Sequence, residues 1–217
     1  YSSRDAAVAL ASTPLNGGQR AAAEMILSSS DRFVGVLGRP GTGKTFMLSS
    51  VRSALGERGF EVVGMAANAE AARQLQESAG ITSGTIHKHL RVAGADLARM
   101  SAGPAQAADI QSRYSKQVWV IDEASQVSNS AMRRVTTLAE KLGARVVLVG
   151  DTAQLGAIEA GKPFSRMLAA GMRSAEMDEI RRQTDSRHVS AVRDVISGDI
   201  GAAMEKLRPE TREIQNR

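Results

Sequence analysis

Lys44 and Thr45 close a run, Phe33-Val34-Gly35-Val36-Leu37-Gly38-Arg39-Pro40-Gly41-Thr42-Gly43-Lys44-Thr45, that passes from apolar residues into a glycine-rich turn. Gly38, Gly43, Lys44 and Thr45 fit the spacing G-x-x-x-x-G-K-[ST] of a loop that cradles phosphate. The residue types follow from the chemistry. Backbone N–H groups must point at a triphosphate, and glycine lets the backbone come close with no side chain between. Gly38, Gly41, Thr42 and Gly43 would form that cradle. Lys44 would bring positive charge to the β/γ-phosphates, and Thr45 a hydroxyl to Mg²⁺. A helix carrying Phe46, Met47, Leu48, Val51 and Leu55 would turn its positive N-terminus toward the anion.

Three further stations carry chemistry. Val118-Trp119-Val120-Ile121 runs into adjacent carboxylates, Asp122 and Glu123. Ligands of open α/β sheets collect at the carboxyl ends of strands. One carboxylate there can hold Mg²⁺, and the other can deprotonate the water that attacks a γ-phosphate. By itself an Asp-Glu pair after a strand is an ordinary helix cap; beside a phosphate loop the catalytic reading is the better one. Val146-Val147-Leu148-Val149-Gly150-Asp151 leads to Gln154, which can report the γ-phosphate, while Asp151 by itself reads as a cap. Arg181-Arg182-Gln183, taken alone, is a solvated basic pair. His87 and His89 lack acidic or cysteine neighbours, so they make no metal site.

Elements must position these groups. Helical spacing runs over 17–27, 46–55, 69–77 and 129–142, and apolar strands over 33–38, 61–66, 118–121 and 145–149. A loop is expected at 80–87 and a mobile Ala/Gly/Ser-rich stretch at 91–116. After Pro163 come a helix at 164–170, a strand at 176–179 and a helical region through 189–207. Strands alternating with helices predict an α/β fold: a doubly wound, mostly parallel sheet with helices on both faces. Residues 1–12 read as an N-terminal helix or linker, 13–180 as the ATP-binding domain and 181–217 as a C-terminal helical segment.

Composition sets the bounds. The 217 residues are 42% hydrophobic, enough for one sizeable core. There is no cysteine, which excludes disulfides and thiolate chemistry and fits a reducing, cytoplasmic setting. No apolar run approaches the ~18 residues that span a membrane. The chain opens on Tyr1 rather than Met and reads as a piece of something longer. A formal charge of +5 permits nucleic acid as a partner, and one Trp, two Tyr and four Phe argue against a path of stacked rings.

Together the stations resemble the motif set of superfamily 1 DNA helicases of the RecD-like branch, nearest to the helicase region of TraI/TrwC-type conjugative relaxases. Leu15-Asn16-Gly17-Gly18-Gln19-Arg20-Ala21 resembles the Q motif, Gly38 to Thr45 motif I, Gly64-Met65-Ala66-Ala67-Asn68-Ala69-Glu70-Ala71-Ala72 motif Ia, and Thr85-Ile86-His87 the segment after it. Asp122-Glu123-Ala124-Ser125-Gln126 resembles motif II, Gly150 to Leu155 motif III, and Glu179-Ile180-Arg181-Arg182-Gln183 motif IV. The resemblance implies a RecA-like P-loop NTPase domain with ATP and Mg²⁺ as cofactors. It implies that Gln19 contacts adenine, Arg182 the γ-phosphate, and Asn68, Thr85 and His87 single-stranded DNA. Glu70 departs from the pattern by placing an acid near that path. The family's second RecA-like domain, with motifs V and VI, is not matched in these residues. The expected partners are single-stranded DNA, that second domain, and conjugation or recombination proteins. A recombination or repair helicase, and a nucleotide-gated module that recruits protein without motor activity, are the alternatives.

Overall fold

A computed structural model describes residues 1–151 and 162–177, with positions 202 and 205. Gln154, Arg182, the end of the strand expected at 176–179, and most of the expected 189–207 helical region lie outside the described residues.

The strands are β1 (Phe33–Gly38), β2 (Glu61–Ala66), β3 (Thr82–Thr85), β4 (Gln117–Ile121), β5 (Arg145–Gly150) and β6 (Ser174–Met177). They form one six-stranded sheet in the order β3-β2-β4-β5-β1-β6, every pairing parallel. The helices are α1 (Ser3–Ala9), α2 (Gly17–Ser28), α3 (Lys44–Glu57), α4 (Ala69–Ala79), α5 (Ile86–Arg99), α6 (Pro104–Ser115), α7 (Asn129–Leu142) and α8 (Pro163–Ala169).

Successive strand residues point to opposite faces, so a strand buried on both sides reads as unbroken apolar sequence. Val118 and Val120 of β4 enter one core with Val34, Val36, Val147 and Val149; α1 to α4 cover that face. Trp119 and Ile121 enter the other with Met65, Val146 and Leu148, under α5 to α8. The layering follows the strand order. From β1 to β2 and from β2 to β3 the chain moves one way and uses the first face. From β3 to β4, β4 to β5 and β5 to β6 it moves the other way and uses the second. Reversing both direction and face keeps one hand for every crossover, as parallel connections require. The doubly wound sheet expected from the sequence is what forms.

Three elements differ from expectation. Residues 91–116 are not a mobile stretch: α5 runs to Arg99, a 3₁₀ turn covers Met100–Ala102, and α6 follows. Leu90, Ala93, Ile110 and Tyr114 are buried at helical spacing in the second core. Asp96, also buried, accepts hydrogen bonds from Tyr114 Oη at 2.9 Å and from Arg113. Pro104, a breaker by composition, occupies the first turn of α6, where a missing N–H costs nothing. The loop expected at 80–87 contains β3, a polar edge strand held by its ladder to β2. The last strand begins earlier than expected, at Ser174, in register with Gly35 of β1.

Candidate functional site

The loop between β1 and α3 is shaped by glycines. Gly41 and Gly43 have φ of 89° and 79°, in the left-handed region that favours glycine. A Cβ on Gly38 would lie 2.9 Å from Thr42 Oγ1 and 3.2 Å from Lys44 Cγ. The carbonyl of Arg39 pins the turn, accepting from Thr42 N at 3.3 Å and Thr42 Oγ1 at 2.9 Å. Lys44 Nζ donates to the carbonyls of Gly38 at 2.7 Å and Arg39 at 3.4 Å, so the loop curls around the ammonium. Helix α3 has 14 residues and no side-chain cap, leaving its first N–H groups for an anion. A concave backbone cradle that side chains would fill, with a lysine inside it, fits a polyphosphate.

Asp122 N donates to Met65 O at 3.0 Å, extending the β4–β2 ladder one residue past the strand. That bond fixes where the carboxylates leave the sheet. Glu123 then adopts φ 51°, the only positive φ of a non-glycine among the described residues. Its N–H donates to Asp122 Oδ1 at 3.0 Å, and its carbonyl accepts from Gln126 N at 2.8 Å in the 3₁₀ turn Ala124–Gln126. Gly150 at the end of β5 supports the turn, since a Cβ there would stand 3.2 Å from Ser125 N. Glu123 Oε2 is buried without a hydrogen-bond partner among the described residues.

Electrostatics push both carboxyls the same way. Burial raises the pKa of Asp122, opposed by its backbone hydrogen bond and by Lys44. Burial raises Glu123 too, Asp122 and then Asp151 adding to it while Lys44 opposes. A carboxylate that is reluctant to ionise is a better proton acceptor once ionised, which suits a general base.

The fold brings these stations together. Strand β1 sends its connection to one face and its neighbour β5 to the other, the crossing point where such sheets open a crevice. A cleft of about 1040 Å³ lies there, lined by Lys44, Thr45, Asp122 and Glu123 with Arg39, Phe46 and residues of α4. Thr45 and Asp122, the expected Mg²⁺ holders, share it. Gln19 lines the same cleft and is fully buried, its amide accepting from Asn16 N at 3.1 Å and donating to the Thr42 carbonyl at 2.9 Å. Asn16 and Gly150 were legible only as members of motifs: Asn16 caps α2 against Gln19, and Gly150 leaves room for the turn after Glu123.

Asn68, Thr85 and His87 stand apart from that cleft, past the carboxyl ends of β2 and β3, where Ala66 pairs with Thr85. Asn68 caps α4, accepting from Ala71 N at 2.8 Å, and Thr85 caps α5, accepting from Lys88 N at 3.3 Å. His87 is exposed in the first turn of α5. Glu70 is not a bare acid: it pairs with Arg73 at 2.7 Å, and that bond holds its pKa down.

A family described as "AAA domain" matches residues 14–214. A probable conjugal transfer protein TraA of Sinorhizobium fredii is 35% identical over 202 residues, covering 93% of this chain and 17% of that protein. The multifunctional conjugation protein TraI of Escherichia coli is 35% identical over 199 residues, 89% of this chain and 11% of that protein. The chain thus spans a small part of the relatives it matches. Among solved structures, the Pif1 helicase from Candida albicans superposes with a TM-score of 0.63 at 19% identity, over 94% of this chain and 49% of that one. That likeness bears out the fold, and the conjugative relatives bear out the resemblance drawn from the motifs.

Proposed function

The chain belongs to the AAA domain family, and from that membership we propose that it is the ATP-binding motor domain of a DNA helicase of conjugative plasmid transfer. Residues 13–180 form the nucleotide-binding unit, and 181–217 lead toward a second RecA-like domain of the same polypeptide. The protein works in the cytoplasm on single-stranded DNA; no helix among the described residues is long and apolar enough to cross a membrane.

In this reading the loop amides and Lys44 hold the triphosphate. Glu123 takes the proton from the water that attacks the γ-phosphorus as the bond to the β-phosphate oxygen breaks. Gln154 and Arg182 respond to the γ-phosphate, and Asn68, Thr85 and His87 touch the DNA strand. Thr45 and Asp122 would hold Mg²⁺, which when bound offsets phosphate charge. The observation that carries the reading is the buried, unbonded Glu123 carboxylate oxygen in the same cleft as Lys44. These residues alone bind Mg-ATP and turn it over slowly, because the second domain supplies an arginine worth about 10³–10⁵ in rate in comparable enzymes.

The test is binding of a non-hydrolysable Mg-ATP analogue, and hydrolysis of ATP, by the wild type, Lys44→Ala and Glu123→Gln. Lys44→Ala should lose binding. Glu123→Gln should keep binding while hydrolysis falls by about 10²–10⁴. Equal binding by Lys44→Ala, or unimpaired turnover by Glu123→Gln, would sink the assignment. One observation favours a nucleotide-gated recruitment module instead: Arg73 of α4 is enclosed by Glu70 and Glu77, leaving little net positive charge beside Asn68. Nucleotide binding with no affinity for a single-stranded oligonucleotide, at stated salt and with the second domain restored, would decide for that alternative.

A further inference from the structure

The formal charge of +5 is unevenly shared between the two faces of the sheet. Helices α1 to α4 carry five basic and five acidic residues, whereas α5 to α7 carry seven basic and three acidic. On that second face Asp96 already engages Arg99 and Arg113. Lys88 and Arg91 on α5, and Arg133 and Arg134 on α7, are exposed, and none has an ion-pair partner among the described residues. The two helices pack against one another. Helix α5 starts directly after β3, and α7 just after the turn that follows β4, so both run back from the carboxyl edge of the sheet. The four cations therefore lie in the first two turns of neighbouring helices along that edge.

Cations placed there work against folding. A helix start is the positive end of the peptide dipole and favours acids. Neither helix has an acid in its first turn, and α5 has Lys88 there. A charge pattern that local energetics disfavours points to function, here to an anion. The kind of anion follows from what the face lacks. No Phe or Trp lies on α5 to α7, and their one Tyr, Tyr114, is buried. A single strand is gripped by stacking its bases on exposed rings as well as by cations. A duplex has already stacked its own bases and offers a dense rail of phosphates, one charge per about 1.7 Å of axis. The patch also continues from Thr85, the cap of α5, and His87 beside it, where the single strand is expected. We propose that the cationic edge of α5 and α7 is a landing surface for duplex DNA, held through its phosphates and without regard to sequence. This rests on the DNA-motor reading above and adds a second DNA partner to the single strand.

The experiment measures affinity, without nucleotide and across a salt series, for a labelled blunt-ended duplex of mixed sequence and for one of its strands alone. The variants are Lys88→Gln with Arg91→Gln, Arg133→Gln with Arg134→Gln, and all four together. Arg4→Gln with Arg52→Gln, exposed on the first face, removes as much charge as either pair and serves as the control. Glutamine keeps a long side chain and a good helix propensity, so every variant should melt no lower than the wild type. Each pair on α5 or α7 should weaken duplex binding about tenfold and lower the log–log salt slope by about one per cation removed. Single-strand affinity should change little, and the control should match the wild type on both ligands. Duplex and single strand weakened by the same factor would put these cations on the single-strand path and overturn the proposal. So would a wild type without duplex affinity, duplex binding unmoved in the fourfold variant, or an equal loss in the control, which would reduce the effect to net charge. A wild type that binds the duplex through these four residues, but no single strand, would support this surface while sinking the motor reading, so the two fail separately.

Discussion

Glu123 combines two unfavourable conditions, a left-handed backbone at φ 51° and a half-buried carboxyl beside another carboxyl. Such a backbone costs a non-glycine residue about 1–3 kcal/mol and persists only where its surroundings enforce it. Asp122 Oδ1 and the 3₁₀ turn are those surroundings. The raised pKa values of Asp122 and Glu123 give a signed prediction. Between the unfolded and folded pKa the native state holds more protons than the unfolded chain, so stability falls as pH rises through that window. Above the window the ionised, partly buried carboxylates lower stability. Glu123→Gln should therefore melt higher than the wild type at neutral pH, and the gain should vanish on acidification below the ordinary carboxylate range. Thermal melts of ligand-free protein across pH check this; a gain that persists undiminished in acid would mean strain relief rather than charge.

Helices α5 and α6 pack through Asp96, which accepts from Tyr114, Arg113 and Arg99. The arginines are more than half exposed, so their pairing is screened. The Tyr114 hydroxyl is the costly partner: burial first, then Asp96, pushes its pKa up to about 12. Asp96→Ala should cost about 1–3 kcal/mol by leaving that hydroxyl unpaired. Hydrogen exchange should show 86–115 opening before the sheet, whereas Asp96→Asn should keep most protection. The same pair shows where sequence was an incomplete guide. The strands β1, β2, β4 and β5 and the helices α2, α3, α4 and α7 were legible because their apolar runs or faces are dense and their caps are marked. The α5–α6 pair relies on alanines, a few large apolar residues and one buried acid, none of which is a local signal. Strand β3, Thr-Ser-Gly-Thr, carries no apolar pattern and exists because β2 offers it a ladder. In the site, the phosphate loop was legible from its spacing, and Asp122-Glu123 from their place after an apolar strand once that loop was read with them. The partner of the Gln19 side-chain N–H was not, since Thr42 reaches it only through tertiary packing.

At the scale of the whole molecule, the sheet order sets the carboxyl ends of β4, β5 and β1 side by side and leaves those of β2 and β3 next to them. Trp119 belongs to the central strand that both cores share. Its ring meets Tyr114 edge-on at 6.0 Å, and its Nε1 donates to Gln117 Oε1 at 3.0 Å. Trp119→Ala should cost about 3–5 kcal/mol. Because both faces hang on one sheet, denaturation followed by circular dichroism and by ligand release should give a single coincident transition; separated transitions would show that the layers unfold independently.

The N-terminal helix bears on where this chain can be cut. Ala6 and Leu10 lie in the first core, the Tyr1 ring sits under the Arg58 guanidinium at 4.0 Å, and Arg20 holds the carbonyls of Leu10 and Thr13 at 3.0 and 2.9 Å. A boundary drawn at residue 13, the natural choice from motif spacing, would strip a covering layer from α2 and α3. Proteases should accordingly spare the first dozen residues of the folded protein, and a shortened version would carry a fresh apolar scar next to the helix whose opening turn braces the phosphate loop.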